Sequence, residues 1–126
     1  MRFLCLSYIN ETKFEFLSES EREIFIKECS AYDDILRKSG YFIRLEALES
    51  ARNAKTLRYG NDKVSITDGP YAETKEQLGG ILLLNANDLH HATELMSKHP
   101  GIRVATFEIR PLDEESTANV NPAEHM

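Results

Sequence analysis

The chain has 126 residues, enough for one domain with a real core and too few for two ordinary ones. With 41% hydrophobic and 29% charged residues it has a soluble globular balance, and no apolar run approaches the ~20 residues of a membrane span. A net charge of −6 argues against nucleic acid or an anionic membrane as partner, since both require a basic patch.

The apolar stretch near the N-terminus is too short for a signal h-region and no small-residue cleavage site follows, so a cytoplasmic location is expected. Cys5 and Cys29 lack metal-ligand spacing, and in that compartment free buried thiols are expected rather than a disulfide.

Residues 2–8 read as a strand, with Leu4 and Leu6 on one face and Phe3 and Cys5 on the other. Apolar residues on both faces predict cover on both sides. Residues 10–16 read as a polar connection. A helix over 19–39 follows, opened by the capping box Ser18-x-x-Glu21 and closed by Gly40 at C′. Ile24, Ala31, Tyr32, Ile35 and Leu36 recur at helical spacing and mark its expected buried face.

A second strand is expected over 41–48, then a polar loop over 49–55. Residues 56–59 and 64–67 flank Gly60-Asn61-Asp62-Lys63 as a hairpin, with Gly and Asn supplying the turn.

The next stretch, 67–80, carries the most backbone instruction in the chain. Asp68-Gly69-Pro70 is a turn: Asp can accept bonds from the backbone ahead, Gly takes positive φ, and Pro fixes its own φ. Residues 73–77 are long enough for about one helical turn. Gly79-Gly80 then opens the apolar strand Ile81-Leu82-Leu83-Leu84, a placement that often marks close approach of another backbone or a ligand.

Asn87 or Asp88 caps a second helix over 89–98, with Leu89, Ala92, Leu95 and Met96 as its apolar stripe and His99-Pro100-Gly101 as its stop. The last strand spans 103–110, with Ala105, Phe107 and Ile109 inward and Thr106, Glu108 and Arg110 outward. Residues 112–126 are polar and lack periodicity, which predicts a flexible tail after a domain of residues 1–111.

Two βα units sharing one sheet, with both helices on one face and a hairpin inserted between them, make a ferredoxin-like α+β domain. The uncovered apolar sheet face then predicts a two-fold homodimer with sheets facing each other, and a ligand cavity between sheet, hairpin and partner.

The run Asp68-Gly69-Pro70-Tyr71-Ala72-Glu73-Thr74-Lys75-Glu76-Gln77-Leu78-Gly79-Gly80 resembles the signature of the YCII-related superfamily. More narrowly it resembles the branch named for an Asp-Gly-Pro-Phe motif, with Tyr71 in place of Phe. Glu46-Ala47-Leu48 also looks like that pattern, and the resemblance runs from the first strand to Pro111.

The resemblance implies a dimeric α+β barrel and a biochemical role that is mostly unassigned. It also implies, in the wider superfamily, enzymes with a His on the first helix and an Asp before a Pro after the second helix. Some of these are implicated in lyase or dehydrochlorinase chemistry. The Asp-Gly-Pro-Phe branch occurs beside extracytoplasmic-function sigma factors, which implies a regulatory role. This chain departs from the pair: Cys29 stands near the level of the helix His, and the Asp-Pro position reads His99-Pro100. A swapped pair would join His99 to Asp33 or Asp34.

The candidate acids and bases are therefore Asp68, Glu73 and His99, with Glu46, Tyr71, Lys75, Gly79 and Gly80 as ligand contacts. Each has a structural alternative: Asp68 as turn former, Tyr71 as packing, Glu73 and Lys75 as a solvated turn, Glu46 as a salt-bridge partner, His99 as a helix-end cap. His90 and Glu94 are spaced i, i+4, but two ligands without a third make a surface reading the expectation. Arg58 and Arg110 are expected to be exposed strand arginines. No cofactor or metal is expected. Two functions stand beside each other, a small-molecule-binding homodimer with acid–base chemistry and a non-catalytic interaction module.

Overall fold

The computed structural model of the chain describes residues 1–122. Strand β1 (Arg2–Ile9) alternates as its pattern dictates, sending Phe3 and Cys5 into the core and Leu4 and Leu6 to the opposite face. It is central in a four-stranded antiparallel sheet with β2 (Phe42–Ala47), β5 (Gln77–Asn85) and β6 (Ala105–Pro111), in the order β2-β5-β1-β6. This α+β arrangement is compatible with the ferredoxin-like unit. Strands β3 (Lys55–Gly60) and β4 (Lys63–Asp68) form a separate two-stranded hairpin.

Helices α2 (Glu19–Lys38) and α3 (Leu89–Ser97) pack on one sheet face. The core there joins Leu36 and Met96 from the helices to Cys5, Leu82 and Leu84, with Phe3, Ala86 and Ala92 beside them. Phe107 and Ile109 of β6 pack against these clusters, as the inward-outward alternation predicts.

The ends of α2 follow their sequence signals. Ser18 accepts from the Glu21 amide while the Glu21 carboxylate accepts from the Ser18 amide. At the other end Gly40 sits at φ +83°, and the Gly40 and Tyr41 amides bond the Arg37 and Leu36 carbonyls. Asp88 rather than Asn87 caps α3, accepting from the His91 amide at 2.8 Å.

Several expectations differ. The connection before α2 contains α1 (Glu11–Glu15), capped by Asn10 and too short to show a period. The buried stripe of α2 is displaced in part: Ile24, Ala31 and Ile35 are exposed and Asp33 is buried, while Leu36 is buried and Tyr32 half-buried as expected. The hairpin turn places positive φ on Asn61 and Asp62, the two central residues of a primed turn, and Gly60 belongs to β3.

Residues 73–77 form no helical turn; the Gln77 side chain donates through Nε2 to the Ala72 and Thr74 carbonyls, and β5 begins at Gln77. Residues 100–103 wind into a 3₁₀ turn, so β6 starts at Ala105. Beyond Pro111, α4 (Glu114–Val120) is capped by Asp113 and joined to Arg2 through Glu114 at 3.0 Å. The rest of the expected tail, 123–126, lies outside the described residues.

The opposite sheet face carries Leu4, Leu6, Ile81 and Leu83 as directly paired positions. Helices α2 and α3 pack on the other face, and these residues are half-buried in the single chain. The hairpin likewise presents Leu57, Tyr59, Val64 and Ile66 to solvent.

Candidate functional site

The candidate site is built where α2 meets the end of α3. Phe25, Cys29 and Asp33 follow one another at four-residue steps along one stripe of α2 and line a cavity of about 260 Å³. Its floor is the helix-facing side of the sheet: Cys5, Ser7 and Ile9 from β1, Gly80 and Leu82 from β5, and Phe107 from β6. Phe14 of α1 meets Phe25 edge-on at 6.4 Å, and both rings line the same space.

His99 enters from the turn after α3. Pro100 disfavours a helical conformation in the residue before it, and His99 is extended at φ −69°, ψ 129°. Its imidazole lies between Tyr32 and Phe107, edge-on to each at 5.3 and 5.8 Å. The Gly101 amide donates to Nδ1 at 2.9 Å, which makes Nδ1 an acceptor and leaves the hydrogen on Nε2. Nε2–H donates to Asp33 Oδ1 at 2.8 Å. The two side chains are 10% and 12% exposed.

Gly101 is required for this approach, because a Cβ there would stand 3.0 Å from Nδ1 and 3.1 Å from Phe107 Cζ. Asp33 has one hydrogen-bond partner among the described residues; its second carboxyl oxygen accepts none and keeps some access to solvent through the cavity.

The charge around the pair is one-sided. No Lys or Arg lines the cavity among the described residues, and Arg103 is engaged by Glu28. Burial pushes the Cys5 thiol up to about 12. The Cys29 thiol is raised by burial first and then by the Asp33 charge, against an opposing effect of Arg103. The thiols are free, and among the described residues no group of three or more His, Cys, Asp or Glu could hold a metal ion.

The structure separates the residues singled out from sequence. His99, Glu46, Gly79 and Gly80 line this one cavity. Gly80 lies where a Cβ would be 3.2 Å from the Glu46 carbonyl oxygen, and Gly79 sits at a bulge where a Cβ would be 2.8 Å from Ile9 Cδ1. The Glu46 carboxylate accepts from Arg44 Nε at 2.6 Å.

Asp68, Tyr71, Glu73 and Lys75 lie elsewhere, exposed on the hairpin and the loop after it. Asp68 pairs with Lys55 at 2.6 Å rather than with the backbone ahead of it, although Gly69 does take positive φ. Tyr71 is 80% exposed and borders a larger open cleft of about 990 Å³ with Tyr8, Leu57 and Pro70. Arg58 donates to the Tyr71 carbonyl at 2.8 Å, and Arg110 bonds Glu108, which also accepts from the Tyr8 hydroxyl.

His99 bonds Asp33 and not Asp34, which faces solvent and pairs with Arg37. His91 serves the α3 end locally, its Nδ1 accepting from the Asn87 amide. Phe14, Phe25, Cys29 and Ser7 went unread as lining residues. The four-residue step from Phe25 through Cys29 to Asp33 was the signal that could have found the α2 wall.

The family model described as YCII-related domain matches residues 1–116. An uncharacterised protein of Rhizobium meliloti (strain 1021) is 30% identical over 116 residues, covering 89% of this chain and 92% of its own length.

Proposed function

The chain belongs to the YCII-related family, and we propose that it is a small-molecule-binding member whose ligand occupies the cavity against Asp33. The observation that carries this reading is the His99–Asp33 pair, which leaves one carboxylate oxygen with no hydrogen-bond partner among the described residues at the wall of a mostly apolar cavity. A carboxylate oxygen with spare acceptor capacity, reached through such a cavity, is a binding feature. The chemistry proposed is proton transfer, with Asp33 as the base and His99 as the positioning residue. His99 cannot take the proton without releasing the Gly101 amide, since Nδ1 is already an acceptor.

The same reading includes a homodimer formed through the outer sheet face, working in the cytoplasm as a dimeric α+β barrel. Its support is the strip of Leu4, Leu6, Ile81 and Leu83, flanked by Arg44 with Glu46 and by Glu108 with Arg110. An apolar centre with a charged rim is the anatomy of a protein interface. Membership of the Asp-Gly-Pro-Phe branch rests on the loop from Asp68 to Gly80.

The test is a thermal-shift screen of metabolites on the wild type and Asp33→Asn. A ligand present at about 100 times its Kd stabilises by about 2.7 kcal/mol. The expected result is a ligand that raises the wild-type Tm and loses that effect in the variant. Ligands that shift both proteins equally would place binding elsewhere.

A second reading, a regulatory module of the kind associated with extracytoplasmic-function sigma factors, is favoured by the apolar hairpin face of Leu57, Tyr59, Val64 and Ile66. Repeated pull-downs from cell extract with no protein recovered would remove it.

A further inference from the structure

The charge pattern of the cavity selects among ligands. Its wall is mostly apolar, with Phe14, Phe25, Leu82, Met96 and Phe107 among the lining residues. Both nitrogens of His99 are engaged, one by Gly101 and one by Asp33. With Nδ1 an acceptor and Nε2 carrying the only ring hydrogen, the imidazole is neutral, so it brings no positive charge to the carboxylate. Outside the lining, Arg103 pairs with Glu28, and Arg22, 5.9 Å from the centroid of the lining Phe14 ring, donates to the Glu15 carbonyl while its Nε has no hydrogen-bond partner among the described residues. Glu46 borders the cavity, but its carboxylate is paired with Arg44 and, by its register with Ile81, belongs to the opposite sheet face. Asp33 thus remains a carboxylate 9% exposed, with one hydrogen bond and no cation among the cavity-lining residues.

Resting on the reading of this cavity as the ligand site, we propose that it takes a small organic amine. The ammonium group donates to the unpartnered oxygen of Asp33, and an apolar body of about one ring fills the remaining space. A volume near 260 Å³ is that of roughly nine liquid waters, which fits a single ring with a short arm. A charged donor balances the buried carboxylate. A neutral hydroxyl supplies the hydrogen bond without the charge, and a carboxylate ligand would bring two like charges together with no cation between them.

The test uses four probes that share one ring: benzylamine, benzyl alcohol, toluene and benzoate. Their Kd values are measured by calorimetry on the full chain, wild type and Asp33→Asn. Charge-assisted hydrogen bonds predict that benzylamine binds on the order of ten- to a hundredfold more tightly than toluene, with benzyl alcohol between them and benzoate weakest. Asp33→Asn should bring benzylamine down to the level of benzyl alcohol while leaving toluene unchanged.

Equal binding of benzylamine and toluene, or benzoate as the tightest probe, overturns the amine assignment and leaves the cavity reading standing. Retention of the benzylamine preference in Asp33→Asn overturns it as well. Failure of all four probes to bind overturns both. If the variant does not fold, the wild-type ranking decides alone.

Discussion

Replacing His99 by leucine tests whether the buried pair is a structural unit. The two side chains are about nine-tenths buried, so solvent screens their contact little. A hydrogen bond to a charged group contributes about 1.5–3 kcal/mol, and an orphaned buried amide, here that of Gly101, costs about 1–3 kcal/mol. Leucine contacts with Tyr32 and Phe107 offset about 1 kcal/mol of that. The expected loss is therefore about 2–5 kcal/mol, a fall in Tm of roughly 8–20 °C for a chain of this length.

Asp33→Leu leaves Nε2–H without its acceptor and should cost about 1–3 kcal/mol. In the double variant neither partner is stranded, so its loss should fall short of the sum by about 1–3 kcal/mol. Urea unfolding at fixed protein concentration, read by circular dichroism with unchanged m, measures all four corners of the cycle. Additivity to within about 0.5 kcal/mol would refute the coupling.

Gly101→Ala should destabilise by about 1–3 kcal/mol because its Cβ presses on the imidazole and on Phe107, and a smaller cost is expected in a His99→Ala background. A folded wild type should keep Cys5 unreactive toward a disulfide reagent at pH 8, since burial holds that thiol at about 12. Cys29 should react more slowly than free cysteine and accelerate in Asp33→Asn, so reaction at the free rate would count against the placement.

Leu6→Glu combined with Ile81→Glu should leave the circular dichroism unchanged and lower the mass found by light scattering from that of a dimer to that of a monomer; a monomeric wild type would end the homodimer reading. The Ser116 amide, and after it the Ser116 hydroxyl, hold the Asp113 carboxyl below its ordinary 3.8. A folded value below the unfolded one stabilises above that pH and is lost as pH falls through the folded value. The protection factors of the amides of residues 114–120, exchange rates taken relative to the unfolded chain at the same pH, should therefore fall as the Asp113 carboxyl is protonated in the wild type and become independent of that titration in Asp113→Ala.

The elements with strong local chemistry were legible in the sequence. The Ser18–Glu21 box, the Gly40 stop and the alternation of β1 and β6 each rest on neighbours within a few residues. The buried face of α2 was not, because the side chains that line the cavity weaken its apolar period. Cys29 and Asp33 stand on the inward stripe, while Ile24 and Ile35 point out. Helix α1 is too short to display a period, and α4 is fixed by a cap and by Arg2 rather than by an apolar stripe. In the loop from Asp68 to Gly80, the glycines at its end were rightly suspected of close approach. The acids before them sit on the solvent side of the hairpin and of the loop that follows it.

His99 joins a cap to a site role, and the cap is not the cation expected at the end of α3: Nδ1 is an acceptor at the start of the 3₁₀ turn over residues 100–103. Capping alone requires only an acceptor for the Gly101 amide, and Ser, Asn or Asp would supply it with less volume. Imidazole does something those residues cannot: acceptance at Nδ1 dictates that Nε2 carries the hydrogen, and Nε2 points the opposite way, at Asp33. The cap thereby chooses the tautomer. Pro100 holds the backbone extended, Gly101 lets the ring approach, and Tyr32 and Phe107 close on its two sides. The result is a donor aimed at one oxygen of the Asp33 carboxylate, while the other oxygen has no hydrogen-bond partner among the described residues. The acid comes from a helix 66 positions earlier in the chain, so no local pattern around His99 could reveal the pair. Only the packing of α2 over the sheet brings the two together.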